Sequence, residues 1–257
     1  MSIPKPILEN NPGINEWSIL HGYRGSIAHG TYIPNNDPNH IDDKDTMSIC
    51  VPNESYYYGL KEYGSRGTKE IVDGEWDIVV YEARKAIRLL ANGNPNVMTL
   101  LWLPEDLRIK VEPAGQLLID NRNAFVGRHV YKAFAGYASS QLSKMTNNKC
   151  LGYMGDKRRQ LIEKHGYDTK NAAHLIRLLR QGSEFLKDGE LNVRRHDAAE
   201  LVAIRKGEWG LEKIKSEAER LFRRTEDAYD RSTLPIKPNM DEINDLAVEV
   251  VGLALQR

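Results

Sequence analysis

The sequence is poor in cysteine and contains no long apolar run. Its two cysteines, Cys50 and Cys150, stand far apart without a C-x-x-C partner, which argues against a structural zinc site and a disulfide framework. We expect both to be reduced, semi-buried packing residues. No stretch approaches the ~18 apolar residues that a spanning helix needs, and the first residues lack the pattern of a signal peptide. These absences predict a cytoplasmic protein without a membrane partner.

An excess of charge of either sign is also missing, since 36 Lys and Arg balance 36 Asp and Glu. The molecule as a whole therefore has no field that would draw it nonspecifically onto nucleic acid. The distribution is uneven, because residues 126–224 carry 21 basic and 12 acidic side chains. This fits a protein whose acidic part holds metal ions and whose basic part receives phosphates, although solvated helical faces would give the same distribution.

The order of sequence patterns predicts an α+β fold. Strand-like segments occur at 18–23, 46–51 and 76–81, and residues 34–39 have the composition of an exposed loop. Beyond Tyr81 the apolar period changes to that of helices.

Helix caps mark the second half of the chain. Asn94 followed by Pro95 is typical of a helix start, Asp168 and Asp197 can cap two further helices, and Asn239 with Glu242 resembles a capping box. With a boundary expected near 105–125, we predict a core in residues 1–110 and a helical domain in residues 111–257.

The most informative local motif is Asp43-Lys44-Asp45, which leads into the second predicted strand. Because side chains alternate in an extended chain, Asp43 and Asp45 should point to the same side and hold a common hard cation. Asp77 begins the third predicted strand and can complete the set. Three carboxylates around two magnesium ions are suited to phosphoryl or nucleotidyl transfer. Taken alone, an Asp-x-Asp is more often an ordinary acidic turn.

A Gly-Ser turn precedes this motif. Gly25 and Ser26 follow the first strand, and the next residues can start a short helix. Glycine lets the backbone approach a phosphate, while the Ser26 hydroxyl and nearby N–H groups can donate to its oxygens. A plain tight turn is the simpler interpretation of the pair. Together with the three carboxylates, however, the turn forms an ordered set with one chemical purpose.

These residues resemble the nucleotidyltransferases of the polymerase-β-like superfamily. The resemblance lies in Gly25-Ser26, Asp43-Lys44-Asp45 and Asp77. It is closer to the RNA-ligase-associated predicted nucleotidyltransferases of bacteria and phages, whose pattern also matches Gly93-Asn94-Pro95-Asn96 and the segment 167–179, so it spans most of the chain. It implies a small mixed β-sheet nucleotidyltransferase core flanked by helices and followed by an all-α region. Asp42, beside the pair, is an addition to the family pattern, as is the long insert between Ser26 and Asp43.

The predicted helix from Asp168 carries a polar column at i, i+4 and i+7: Lys170, His174 and Arg177. Such a column is usually a solvated face, but the resemblance favours binding of the triphosphate or of an acceptor phosphate. Arg180, Arg194 and Arg195 are weaker candidates for acceptor binding.

Three hypotheses for function follow. The first is a magnesium- or manganese-dependent enzyme with two ions that transfers a nucleoside monophosphate from a nucleoside triphosphate to an RNA acceptor, such as a damaged tRNA end, and releases pyrophosphate. The second keeps this chemistry but modifies a protein hydroxyl. The third is a non-catalytic nucleotide or RNA sensor, against which the complete set of three carboxylates argues.

Overall fold

The sheet of this protein is mixed and has five strands. The computed structural model describes residues 3–34, 36–37, 42–146 and 156–256. The strands are β1 (Ser18–Tyr23), β2 (Lys44–Cys50), β3 (Thr68–Asp73), β4 (Trp76–Glu82) and β5 (Arg108–Val111), in the spatial order β3-β4-β2-β1-β5. Strands β2 and β4 are parallel, and the other neighbours are antiparallel.

The three central strands match the three predicted ones, and burial explains why they could be found. All six residues of β1 are buried, and β2 is buried from Thr46 onward. The two edge strands β3 and β5 were not predicted. Their residues are half-buried or exposed, so their sequences carry charged side chains and a weak apolar signal.

Helices flank this sheet, and their starts follow the capping chemistry of the sequence. Asn94 accepts hydrogen bonds from the backbone N–H groups of Asn96 and Val97, which confirms the predicted cap. Glu82 caps the preceding helix in the same way through Arg84 and Lys85. The helices are α1 (Lys5–Glu9), α2 (Gly25–His29), α3 (Ala83–Ala91), α4 (Pro95–Leu101) and α5 (Pro113–Asp120).

The remaining helices confirm the predicted helical second half. They are α6 (Val130–Thr146), α7 (Asp156–His165), α8 (Thr169–Asp188), α9 (Ala198–Arg205), α10 (Leu211–Arg231) and α11 (Met240–Leu255). Asp168 caps α8 by accepting from the Asn171 N–H, and Gly189 ends the helix in the left-handed conformation. Asn239 caps α11 through the Asp241 N–H. The α+β class and its mixed sheet are therefore confirmed.

The chain forms two compact units that are discontinuous in sequence. The first contains the described residues of 1–28, 43–126 and 238–257, so that α11 packs on α3 and α5 of the sheet unit. The second contains those of 29–42 and 127–237, where α8 packs against α6, α9 and α10. The division into functional domains at residue 110 stays a prediction.

Cys50 is free and fully buried in the core of the sheet unit, whereas Cys150 lies outside the described residues. Asn35 and residues 38–39 of the predicted loop also lie outside them. Within the part of the chain that the structure describes, no helix has the length and apolar character to cross a membrane.

Candidate functional site

Two of the three predicted carboxylates meet across neighbouring strands. Asp45 of β2 is the direct register partner of Asp77 of β4. Since directly opposed residues of neighbouring strands point to the same face, the two side chains share one face of the sheet. Their side chains are 21% and 37% exposed, so solvent and ligands can reach both carboxylates.

Arg24 places a positive charge between these carboxylates. Its Nη2 lies 3.0 Å from Asp77 Oδ1 and 3.6 Å from Asp45 Oδ1, and its backbone N–H donates to the Asp45 carbonyl. The guanidinium thus occupies the place where a cation shared by both carboxylates would bind. Carboxylate oxygens are the ligands that magnesium prefers, so the pair fits a divalent ion if Arg24 turns aside.

Asp43 lies outside the strands that carry Asp45 and Asp77. It is exposed and precedes the first residue of β2. Among the described residues, no group of three or more His, Cys, Asp or Glu side chains is placed to hold a metal ion. The structure thus brings Asp45 and Asp77 together, while the assignment of Asp43 as a third ligand stays a prediction.

The Gly-Ser turn lies against Asp45 of the carboxylate pair. Gly25 has φ of +61°, and a Cβ on it would stand 2.3 Å from Asp45 Oδ2. Glycine is therefore required here both for the backbone conformation and for the close approach of the carboxylate. Ser26 is the second residue of α2 and is half-buried.

Asp42, the neighbour of the motif, has a structural role. Its carboxylate is buried, accepts from Arg205 Nη2 at 2.6 Å and accepts from the Ile33 N–H at 3.0 Å. Burial acts to raise its pKa, but the hydrogen bonds and the charge of Arg205 outweigh it and lower the pKa. Arg205 also donates to the Thr31 carbonyl. Asp42 therefore anchors residues 29–42 in the second unit, and its side chain is already bound.

The predicted polar column on α8 is not a fully solvated face. Lys170, His174 and Arg177 are each half-buried, while Leu175, Leu178 and Leu179 are fully buried on the other side as predicted.

Arg177 is the least compensated cation of the column. Among the described residues it makes no ion pair, and Nη1 donates to the neutral Gln181 side chain. Burial, with the nearby charge of Arg195, lowers the pKa of Arg177 to about 9. The charge of Asp197 acts against this shift but does not outweigh it. A desolvated cation with no ion-pair partner among the described residues favours an anionic ligand.

Sequence reasoning missed that His29 belongs to this group. Burial and then the charge of Arg177 lower the pKa of both His29 and His174, and His29 contributes to the shift at His174. His29 Nδ1 lies 2.9 Å from the Val193 carbonyl, while His174 Nε2 is buried and has no hydrogen-bond partner within the described part of the chain. His29 and His174 are 145 positions apart in the chain, so no spacing pattern could have joined them.

Two of the weaker acceptor candidates are instead structural. The Arg180 guanidinium pairs with Asp197, Glu200 and Glu217. Arg195 is fully buried and pairs with Glu184 and Asp197. Asp197 was expected to cap α9; it makes no side-chain cap hydrogen bond, because both of its oxygens accept from these two arginines.

The sheet, the Gly-Ser turn before a short helix and the paired aspartates are the arrangement of a polymerase-β-like nucleotidyltransferase. The chain belongs to the RNA repair pathway DNA polymerase beta family (RlaP), whose family model matches residues 15–249. That match includes both aspartates, the turn and the α8 column. None of the curated proteins compared with the sequence matches it significantly.

Proposed function

We propose that this protein transfers a nucleoside monophosphate from a nucleoside triphosphate to a hydroxyl at an RNA end, with a tRNA end as the natural acceptor. The observation that carries the proposal is the register pair of Asp45 and Asp77, whose carboxylates both lie beside the Arg24 guanidinium, where a divalent ion would bind in its place. Membership of an RNA repair family supports RNA as the acceptor.

In the proposed reaction the acceptor oxygen attacks the α-phosphorus of the triphosphate. A new P–O bond forms, the bond from the α-phosphorus to the oxygen that bridges to the β-phosphate breaks, pyrophosphate leaves, and the hydroxyl proton passes to solvent. Asp45 and Asp77, with Asp43 as a third ligand, would hold magnesium or manganese. Two such ions, when bound, would polarise the phosphate of the nucleotide and lower the pKa of the acceptor hydroxyl.

The remaining residues have proposed roles in binding the nucleotide. Gly25 and Ser26 start α2, where backbone N–H groups can donate to phosphate oxygens. On α8, Arg177 is proposed to bind phosphate as a planar donor and Lys170 as a point charge, with His174 donating between them.

Transfer is tested with each α-labelled nucleoside triphosphate, total RNA and magnesium or manganese. Asp45→Asn and Asp77→Asn should each abolish labelling of RNA, because each removes a ligand charge while keeping the side-chain volume. Asp73→Asn, the same change on an exposed residue at the end of β3, is the matched control and should label RNA normally. Label found on polypeptide would replace the RNA acceptor by a protein hydroxyl. Undiminished labelling by both variants would refute the role of the pair.

A further inference from the structure

A second concave site lies at the opposite end of the sheet from the carboxylate pair. It is a cavity of about 550 Å³ where β4 runs into α3, and Glu82 at the end of β4 is among its lining residues. Glu82 is five residues beyond Asp77 on the same strand, or about 17 Å at the usual rise of a β-strand. The cavity is therefore separate from the candidate catalytic residues.

The lining of this cavity is strongly basic. Five cationic side chains face two acidic ones: Lys61, Arg66, Arg84, Lys85 and Arg88 against Glu62 and Glu82. This cluster stands outside the basic segment 126–224, in the part of the chain where acidic residues predominate.

Most of these positive charges are uncompensated. Within the described chain, Lys61, Arg66, Lys85 and Arg88 make no ion pair, and only Arg84 pairs with Glu82. The buried Arg195, in contrast, is matched by the carboxylates of Glu184 and Asp197. Four cations that make no ion pair in the described chain leave a positive potential around the cavity, which an anionic ligand would neutralise.

Glu82 does not neutralise the cavity, because its oxygens are already bound. It accepts from the backbone N–H groups of Arg84 and Lys85, from Arg84 Nε at 3.1 Å and from the Tyr57 hydroxyl at 3.0 Å. Its charge is therefore balanced by the start of α3 and by Arg84.

The backbone of Arg66 is also unusual. Among the described residues it is the only one other than glycine with a positive φ, at +52°, and it stands between Gly64 and Gly67, which share that conformation. A side chain with a Cβ is disfavoured there. Arg66 is exposed, and among the described residues its side chain makes no ion pair or hydrogen bond. Arg66 and Gly67 are the central residues of a tight turn in which the Ser65 and Thr68 backbones exchange two hydrogen bonds, and such a turn requires a positive φ at both positions. Asparagine, aspartate or glycine is usual there, so the turn explains the backbone conformation but not the choice of an arginine, whose side chain lines the cavity.

Aromatic side chains accompany the cations. The Tyr56 ring lines the cavity with Lys61 Nζ 5.8 Å from its centroid, and the Arg84 guanidinium stacks on Tyr57 at 4.5 Å. Tyr58, the next residue along, is 82% exposed. Cationic grooves with aromatic faces are the usual means of binding single-stranded nucleic acid, since phosphates meet the cations and bases stack on the rings.

We infer that this cavity is a docking site for a single RNA strand, which binds it through backbone phosphates. The inference rests on the proposed function, because it adds a place for the acceptor RNA away from its reacting end. It concerns binding alone and requires no chemistry at the cavity.

The main test measures the affinity of a fluorescent oligouridylate of about twelve nucleotides by anisotropy. The double variant Lys61→Ala/Arg88→Ala removes two unpaired cations of the cavity. Lys5→Ala/Arg223→Ala is the control, which removes the same charge from side chains that are 85% and 80% exposed and form surface ion pairs with Glu9 and Glu219. The first should bind at least about tenfold more weakly, with a salt dependence reduced by about 1.4 in log–log slope for two lost phosphate contacts. The control should change affinity less than about twofold. Equal affinities for the two variants would overturn the inference.

Arg66 provides a second test in which stability and binding should change in opposite directions. Arg66→Gly relieves the strained conformation, so the melting temperature should stay the same or rise while RNA affinity falls several-fold. Arg66→Lys keeps the charge and should retain most of the affinity. A glycine variant that melts later and binds RNA as well as wild type would contradict the assignment.

Competitors distinguish RNA from other anions. Polyglutamate of similar charge, or free ATP, should not displace the oligouridylate at matched charge concentration, and displacement by either would assign the cavity to that ligand instead. The result is independent of catalysis, because Asp45→Asn should bind the RNA like wild type. If the wild-type protein binds RNA at the cavity but transfers no nucleotide, only the proposed function is refuted. If the wild-type protein transfers the nucleotide but Lys61→Ala/Arg88→Ala binds RNA with unchanged affinity, only the docking site is refuted.

Discussion

Arg24 compensates the charge of two aspartates that would otherwise repel each other. Because the ion pairs are partly exposed, their contribution to the free energy of unfolding is expected to be about 1 kcal/mol or less. Under the proposed function, a divalent ion would compete with the Arg24 guanidinium for the same carboxylate oxygens.

The first prediction concerns Arg24→Gln. Without the guanidinium, the melting temperature in chelator should fall, and magnesium should raise it by more than it raises that of wild type. Differential scanning fluorimetry with and without magnesium measures both shifts. Lys44→Gln, which removes the neighbouring cation that pairs with Glu75, should show the wild-type response. If magnesium raises the melting temperatures of Arg24→Gln and wild type equally, the carboxylate pair does not bind the ion.

The second prediction compares two arginines on α8. Arg177→Ala should weaken binding of a non-hydrolysable triphosphate with magnesium by roughly tenfold to a hundredfold, since a charge-assisted hydrogen bond is lost. It should leave thermal stability nearly unchanged, because no carboxylate loses its partner.

Arg180→Ala is the matched control and should show the opposite result. It leaves the three carboxylates that pair with Arg180 without this cation, so stability should fall while nucleotide affinity, measured on the folded protein by calorimetry, is kept. Wild-type affinity of Arg177→Ala would remove it from the phosphate-binding role.

At the residue scale, local sequence motifs were the reliable guide. The Asp-x-Asp motif and Asp77 contain the pair Asp45 and Asp77 that the sheet register brings together, and the Gly-Ser motif contains Gly25, which contacts Asp45. Arg24, the Asp42–Arg205 ion pair and the grouping of His29 with His174 were missed. Each depends on a long-range contact, which side-chain spacing in one segment does not contain.

Strand β1 carries a buried histidine, His21, whose protonation makes the stability of the protein depend on pH. Burial, reinforced by the charge of Lys110, lowers the pKa of His21 to about 4 from 6.5. The unfolded chain therefore binds the proton more readily, and stability is lost as pH falls from 6.5 to 4.

The third prediction is that His21 contributes up to about 3 kcal/mol of this loss, the free energy of its pKa shift. Urea unfolding of His21→Gln between pH 7 and 4.5 should therefore show a shallower fall in stability than wild type. His196→Gln, which changes an exposed histidine, should keep the wild-type slope. A wild-type slope in His21→Gln would show that His21 is not a source of the acid sensitivity.

At the element scale, burial and caps decided what could be predicted. Strands β1, β2 and β4 and the starts of α4 and α8 follow from apolar patterns and capping residues. The edge strand β3 has the sequence TKEIVD, whose charged side chains suit an exposed edge. Because they interrupt the apolar pattern typical of a strand, β3 could not be predicted from the sequence. Strand β5 is only four residues long and lies inside the region expected to be a boundary.

At the scale of the whole molecule, α11 completes the sheet unit from the far end of the chain. Ile243, Leu246 and Val250 are buried, and the helix packs on α3 and α5.

The fourth prediction is that Ile243→Ala costs about 2–5 kcal/mol of unfolding free energy, as expected for a buried Ile→Ala change. Hydrogen exchange should speed up in α3 and α5. Val248→Ala, at a position that is 67% exposed, should have little effect.

The interleaving of the two units also affects how the protein is made. The strands, the Gly-Ser turn and both aspartates have all been synthesised by residue 126, yet the helix that covers α3 and α5 follows more than a hundred residues later. At translation rates of about 5–20 residues per second, the ribosome would carry an incomplete sheet unit for roughly 5–25 seconds. A nascent chain that stalls before α11 would therefore carry every proposed catalytic residue on an unfinished scaffold, so activity should appear only once translation has passed this last helix.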